Sequence, residues 1–252
     1  MDIVIIGSGN VATVMGRKMV AAGHNVVQVA GRSMSVYHLA MQLETSFTTD
    51  FSRLKSNAEL YFIAIPDDAL ASASQWLHTG DALAVHTAGS VSAEVLKDVS
   101  SRYGVVYPLQ SLRSDVPEVP EIPLLVDGNT PGTLETISHF ARSLSSRVFA
   151  ADDEYRKKIH LAAVVTGNFS NHLCALAATW CEREGLDFSL LLPLLKETVA
   201  RLDKYDVNNM QTGPARRNDT GTMAAHLQML EDSPGLQKIY TVMSDSIKKH
   251  YQ

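Results

Sequence analysis

Short, nearly unbroken apolar runs mark residues 1–150: Ile3–Ile6, Val26–Ala30, Leu60–Ile65, Leu83–His86, Val105–Tyr107, Leu124–Val126 and Val148–Ala150. Most are continuous rather than alternating, which suits strands buried on both faces of a parallel sheet. Between the first two lies Val11–Ala22, rich in Ala, Met and Val, with Gly23 placed to stop a helix. That is a strand–helix–strand unit, whose crossover is right-handed. After Ala151 the texture changes. Helices are predicted over Asp152–Glu184, Phe188–Tyr205, Thr220–Glu231 and Gly235–Tyr251, with no strand among them. The pattern predicts an α/β domain over 1–150, a doubly wound and mostly parallel sheet, followed by an all-helical domain over 151–252. Pro117, Pro120 and Pro123 predict a rigid extended loop inside the first domain.

The first strand runs into GSGNVA, residues 7–12, which also opens the first helix. A glycine pattern alone is a weak signal, but between strand and helix it is a dinucleotide-binding fingerprint. Gly7 turns the chain sharply and Gly9 leaves the backbone bare for a pyrophosphate. Ser8, Asn10 and Val11 complete the turn at the helix N-terminus, where free N–H groups and the helix dipole favour an anion. Ala12 replaces the third glycine, which is needed only for close helix–strand packing. An acid that would hold the ribose hydroxyls of NAD is expected about 20 residues on. None lies between Gly23 and Ser33; the second strand ends in Gly31-Arg32-Ser33 instead. A guanidinium and a hydroxyl suit a 2′-phosphate, so the expected cofactor is NADP.

Ligands of open parallel sheets sit at the carboxyl ends of the strands. Those ends read Ile65-Pro66-Asp67-Asp68, His86-Thr87-Ala88-Gly89-Ser90 and Tyr107-Pro108-Leu109-Gln110-Ser111. Ile65 and Pro66 are expected at the cofactor. His86 is a candidate proton donor, weighed against a histidine satisfied by backbone at a strand end. Asp67 or Asp68 suits the cap of the next helix. Farther on, Lys157, His160, Val164, Asn168 and Asn171 fall within about 80° of each other on a helical wheel. This polar stripe could wall a substrate cleft, with Lys157 or His160 as proton donor, Asn168 as a catalytic hydrogen-bonding group and Asn171 binding substrate. The opposing reading is a stripe that faces water or neighbouring helices. The loop Thr212–Asp219 offers Arg216 or Arg217 as a carboxylate or phosphate clamp, against a surface ion pair, and Asp219 or Thr220 as the next helix cap.

Composition changes little in this picture. The chain has 252 residues, net charge −5 and 45% hydrophobic content, which favours neither nucleic acid nor an anionic membrane as partner. No apolar run approaches the roughly 20 residues that cross a bilayer, and no leader pattern opens the chain, so the expected location is cytoplasmic. Cys174 and Cys181, seven apart on one predicted helix, are expected to be reduced, because about 10 Å of helix rise separates them. No metal is expected, since no Cys/His ligand spacing occurs.

Taken together, GSGNVA, AGRS, HTAGS, YPLQS, KKIHLAAVVTGNFSNHL and TGPARRND resemble the bacterial family that joins a Rossmann-like domain to the domain of unknown function 2520. The resemblance covers essentially the whole chain. More distantly the layout is similar to pyrroline-5-carboxylate reductase, ketopantoate reductase and the coenzyme F420-dependent NADP oxidoreductases. These relatives imply an NADP-type cofactor, a helical C-terminal domain and a dimer made through it. Ketopantoate reductases and hydroxyacid dehydrogenases use a Lys with an Asn one turn on; here Lys157 is followed by Leu161. The expectation is an NADP-dependent oxidoreductase for a small polar carbonyl, imine or hydroxy compound, forming a homodimer through the helical domain. The alternatives are a non-catalytic NADP-binding redox sensor, which gains if His86 and the 157–171 stripe turn away from the cleft, and a binder of other adenosine phosphates.

Overall fold

The computed structural model describes residues 1–116 and 121–251. Pro117 and Pro120 of the expected rigid loop lie outside the described residues. The chain divides into two compact units, Met1–Asn168 and Phe169–Gln252.

The first unit is α/β. Its strands are β1 (Asp2–Ile6), β2 (Asn25–Ala30), β3 (Ser46–Thr48), β4 (Leu60–Ile63), β5 (Leu83–His86), β6 (Tyr103–Pro108), β7 (Leu124–Gly128) and β8 (Val148–Ala150). Helices α1 (Asn10–Ala21), α2 (Ser35–Gln42), α3 (Asp67–Leu70), α4 (Pro131–Leu144) and α5 (Asp153–Ala163) connect and follow them. The sheet order is β3-β2-β1-β4-β5-β6-β7-β8. Among the described residues, only the β6–β7 pairing is antiparallel. The order reverses at β1, so the carboxyl ends of β1 and β4 bound the crevice where such sheets bind ligands.

Two hydrophobic clusters explain why the strands read as continuous apolar runs. Alternate residues of one strand enter opposite layers: Ile3 and Ile5 join Met15 and Met19 of α1 and Phe140 of α4. Val4 and Ile6 join Leu70, Leu77 and Leu96 on the other face. Both faces being covered, no position in β1 gains from a polar side chain. Strand β3 escapes the apolar pattern because it has three residues at the sheet edge, of which only Thr48 is buried.

The first unit runs past residue 150 because α5 is anchored to the sheet. Arg156 is fully buried; its Nη2 donates to the Val91 carbonyl at 2.6 Å and to Asp153 at 2.5 Å. The Ala93 N–H donates to the same Asp153 carboxylate, at 3.1 Å. A buried guanidinium without such partners would cost several kcal/mol, so α5 is held by the unit in which those partners sit. The domain boundary expected at 150 therefore moves to the end of a π-helical turn, Val164–Phe169.

The second unit holds α6 (Ser170–Arg183), α7 (Leu192–Leu202), α8 (Thr220–Met229) and α9 (Pro234–Tyr251), with no strand among the described residues. Asp219 caps α8, accepting from the Thr222 N–H. Arg183 donates to the Asp232 carbonyl and Ser233 hydroxyl, tying the end of α6 to the start of α9. Cys174 and Cys181 are free thiols. By length and composition, the helical run Asp153–Arg183 passes as a bilayer-crossing span, with mean hydropathy 1.2 over 18 residues and none of that window buried. A search for unbroken apolar runs passes over it because His160, Asn168 and Asn171 interrupt the sequence.

Candidate functional site

The turn after β1 is built for an anion. Gly7 has φ +120°, and a Cβ there would strike the Ala64 backbone at the end of β4. A side chain at this point would push apart the two strands that frame the crevice. Beside it, α1 starts at Gly9 with no side-chain cap and no acid in its first turn. Its N–H donors are thus left to a ligand or water. A Cβ on Gly9 would meet nothing within 4 Å, so the space above the turn is open. The Asn10 side-chain oxygen accepts from the Ser114 N–H and hydroxyl, which pins the loop after β6 to the helix start.

A first cavity of about 720 Å³ opens over this turn. Gly7, Ser8, Gly9, Asn10, Val11, Gly31, Arg32, Ile65 and Pro66 all line it. Arg32 has no ion-pair partner among the described residues. Ser33 does not line the cavity; its hydroxyl shares a hydrogen bond with Ser35 at 2.5 Å, and Ser35 in turn bonds Ser8 at 2.6 Å. These three hydroxyls tie the loop after β2 to the loop after β1. Phe51 and Trp76, with ring centroids 4.5 Å apart, add an aromatic wall. The residues therefore fit a dinucleotide: a bare-backboned turn and helix terminus for the diphosphate, a free guanidinium for a further phosphate, flat apolar surface for a base.

A second cavity of about 630 Å³ adjoins the first and shares Val11, Thr87, Tyr107 and His160 with it. The carboxyl end of β6 supplies Tyr107 to Ser111, and α5 with the π-helical turn supplies Ile159 to Asn168. His160, Val164 and Asn168, three members of the predicted stripe, face this cavity. The shared border carries a polar pair: the Tyr107 hydroxyl and His160 Nδ1 are 2.8 Å apart. His160 Nε2 has no partner among the described residues. Burial, with the nearby Asp67 charge, pushes the Tyr107 hydroxyl above its ordinary range, which keeps it protonated. Gly89 makes room for the pair, since a Cβ there would lie 2.7 Å from His160 Nδ1 and 2.9 Å from the Tyr107 ring.

His86 does not face either cavity. It is completely buried. The Ala88 N–H donates to its Nδ1 at 3.2 Å, which leaves its Nε2–H to donate to the Ser92 carbonyl at 3.2 Å. Burial above all, then the Arg156 charge, pushes its pKa down to about 4, so it is neutral and its one N–H is spent on the Ser92 carbonyl. The expected catalytic role of His86 is corrected accordingly: it is the backbone-satisfied strand-end histidine, and it shapes the loop that carries Thr87 and Gly89. Asp67 is likewise not the helix cap; it accepts from the Ser90 hydroxyl at 2.5 Å and joins the loops after β4 and β5.

Asn171 and Arg216 belong to the second unit and are not among the residues lining either cavity. Asn171 is exposed on α6. Arg216 donates to the Tyr251 carbonyl at 3.2 Å and lies over the Tyr251 ring. Lys157 of the stripe is exposed and lines neither cavity. Tyr107, Thr87, Gly89 and Gln110 are site residues that the sequence did not single out. Their signal was present in the rule that strand ends line the ligand, but nothing in the local sequence separates Tyr107 from any other buried strand tyrosine. Among the described residues, no group of three His, Cys, Asp or Glu side chains could hold a metal.

Residues 122–247 match the family model described as domain of unknown function 2520, and residues 2–102 match that of the coenzyme F420-dependent NADP oxidoreductases. No curated protein matches. Among solved structures, a Bacteroides fragilis protein described as a putative NADP oxidoreductase is 37% identical, with 98% of each chain covered and a TM-score of 0.93. An imine reductase from Myxococcus stipitatus in complex with NADP+ is 11% identical, with 99% of this chain and 93% of that one covered and a TM-score of 0.68. The 1-pyrroline-5-carboxylate reductase of Streptococcus pyogenes is 16% identical, with 99% and 98% covered and a TM-score of 0.63. The last two likenesses are of fold.

Proposed function

This chain belongs to the family defined by the domain of unknown function 2520 joined to an NADP oxidoreductase-type domain, and from that membership we propose that it is an NADP-dependent reductase of a small carbonyl or imine compound. The observation that carries the reading is the meeting of two cavities at Tyr107 and His160. One has the features of a dinucleotide site and the other is large enough for a small organic molecule.

NADP is the cofactor. Gly7, Gly9 and the start of α1 hold its diphosphate, and Arg32 holds the 2′-phosphate. Bound NADPH supplies a hydride. The chain supplies the proton: His160, its Nδ1 paired with the Tyr107 hydroxyl, presents Nε2–H to the substrate heteroatom. Tyr107 fixes the ring so that Nε2 is the free nitrogen, in the manner of an orienting group behind a catalytic histidine. Asn168 orients the same substrate through its amide. The redox-sensor alternative gains if His86 and the 157–171 stripe turn away from the cleft; His86 does, and Lys157 and Asn171 line neither cavity. His160, Val164 and Asn168 at the second cavity favour the catalyst.

The protein works as a homodimer through its helical unit, in the cytoplasm. Leu190, Leu194, Val199 and Leu202 are each more than half exposed in the single chain, an apolar surface that a second copy would cover. Light scattering on the purified protein is expected to give twice the chain mass, and Leu190→Glu with Leu194→Glu to return it to the monomer. For the reaction, NADPH is expected to raise the melting temperature more than NADH at equal concentration. Loss of absorbance at 340 nm against neutral ketones and imines tests turnover. A protein whose melting point neither cofactor shifts is not this enzyme.

A further inference from the structure

The two cavities differ in charge. The first is lined by Arg32 and Asp67 among others. The second, among the described residues, is lined by apolar, hydroxyl, amide and imidazole side chains, with no Lys, Arg, Asp or Glu. Backbone donors along one wall are already used. The Leu109 N–H donates to the Pro123 carbonyl at 2.9 Å, and the Gln110 N–H to the Pro108 carbonyl at 3.0 Å. The Ser111 N–H donates to the Gln110 side-chain oxygen at 2.9 Å. The opposite wall spends a hydroxyl the same way, Thr166 donating to the Ala162 carbonyl at 2.9 Å. Apart from His160, no side chain in this lining is basic, and the N–H groups of Leu109, Gln110 and Ser111 are spent within the chain, so a carboxylate moved out of water there is disfavoured. His160 is the one basic side chain in the lining, and in the reductase reading its Nε2 serves the reacting heteroatom. Arg216, expected from the sequence as a carboxylate clamp, donates to the Tyr251 carbonyl in its own unit.

We propose that the second cavity selects uncharged substrates, neutral ketones, aldehydes or imines with an apolar body, and rejects keto and imino acids. The body lies against Leu109, Ile159 and Val164, and the reacting oxygen or nitrogen meets His160. This assignment rests on the reductase reading, and the two are tested separately.

The probes are acetophenone and benzoylformate, a ketone pair in which a methyl group is exchanged for a carboxylate. The full-length protein is first titrated with NADP+. Each probe is then titrated into the NADP+-saturated protein and its dissociation constant read by saturation-transfer NMR. Acetophenone is expected to bind at least about tenfold more tightly than benzoylformate. Thr166→Arg, which places a cation in the wall, is expected to narrow or reverse that ratio; if its circular-dichroism melt shows it unfolded, Ala163→Lys replaces it. Benzoylformate binding as well as acetophenone to the unsubstituted protein overturns the proposal. So does binding of neither probe, or a ratio the introduced cation leaves unmoved. Failure of NADP+ itself to bind counts against the reductase reading instead, and the pair is then compared on the protein without cofactor, where the charge argument is the same.

Discussion

The two adjoining cavities are built in different ways. The first is made mostly by chain ends of neighbouring strands: the turn after β1, the end of β2 and the end of β4. Its key contacts come from backbone, from a missing Cβ at Gly7, open space at Gly9 and a bare helix terminus. The second gathers side chains from α1, the end of β5, β6, α5 and the π-helical turn, segments from Val11 to Asn168. Backbone recognition constrains a short contiguous motif, whereas side-chain recognition constrains only the fold that brings distant residues together. Damage to one cavity should therefore leave the other largely functional, except at the residues they share.

The sharpest test of that separation is His160→Ala. It is expected to lower the reduction rate about 10²- to 10³-fold while NADPH affinity, read by fluorescence titration, stays within about twofold. Equal loss of both would show that the cavities are one site in function. Next in size is an effect on the segment both cavities share. His86 in the folded protein titrates at about 4, below its ordinary 6.5, so the unfolded chain binds the extra proton first. Stability is whole above pH 6.5 and falls as the pH drops toward 4, by about 3 kcal/mol for this group. Denaturant titrations across that window should show a shallower fall for His86→Gln, whose amide keeps one donor and one acceptor; parallel curves would refute the assignment. The smallest expected effect lies wholly in the first cavity. Arg32→Ala should weaken NADP binding about tenfold or somewhat more, leave NAD binding nearly unchanged and leave the turnover rate at saturating cofactor unaltered.

How much of the site was legible follows from the same division. Gly7, Gly9, Gly31, Arg32, Ile65 and Pro66 could be placed because each lies at the carboxyl end of a strand whose apolar run is unmistakable. His160, Val164 and Asn168 could be placed on one face because helical periodicity survives the π-helical turn well enough to keep them together. His86 could not be decided from sequence: a histidine after an apolar strand end satisfies its nitrogens either on backbone or on a ligand, and only the positions of Ala88 and Ser92 distinguish the two. Tyr107 was invisible as a partner of His160 because they stand 53 residues apart and meet only when α5 packs beside β6. The boundary near residue 150 was read from texture, but Arg156 and Asp153 bind α5 to the sheet and carry the first unit to Asn168.

The sequence by itself determined the α/β character of the first unit, the helical character of the second and the dinucleotide turn. These depend on local periodicity and on what a glycine permits, both of which are written in consecutive residues. The tertiary structure alone decided which histidine meets a tyrosine at the border of the two cavities, which histidine is sealed in the core, and that no Lys, Arg, Asp or Glu lines the second cavity among the described residues. Those properties are set by which side chains from distant segments share one small volume, and by what that volume does to their charge.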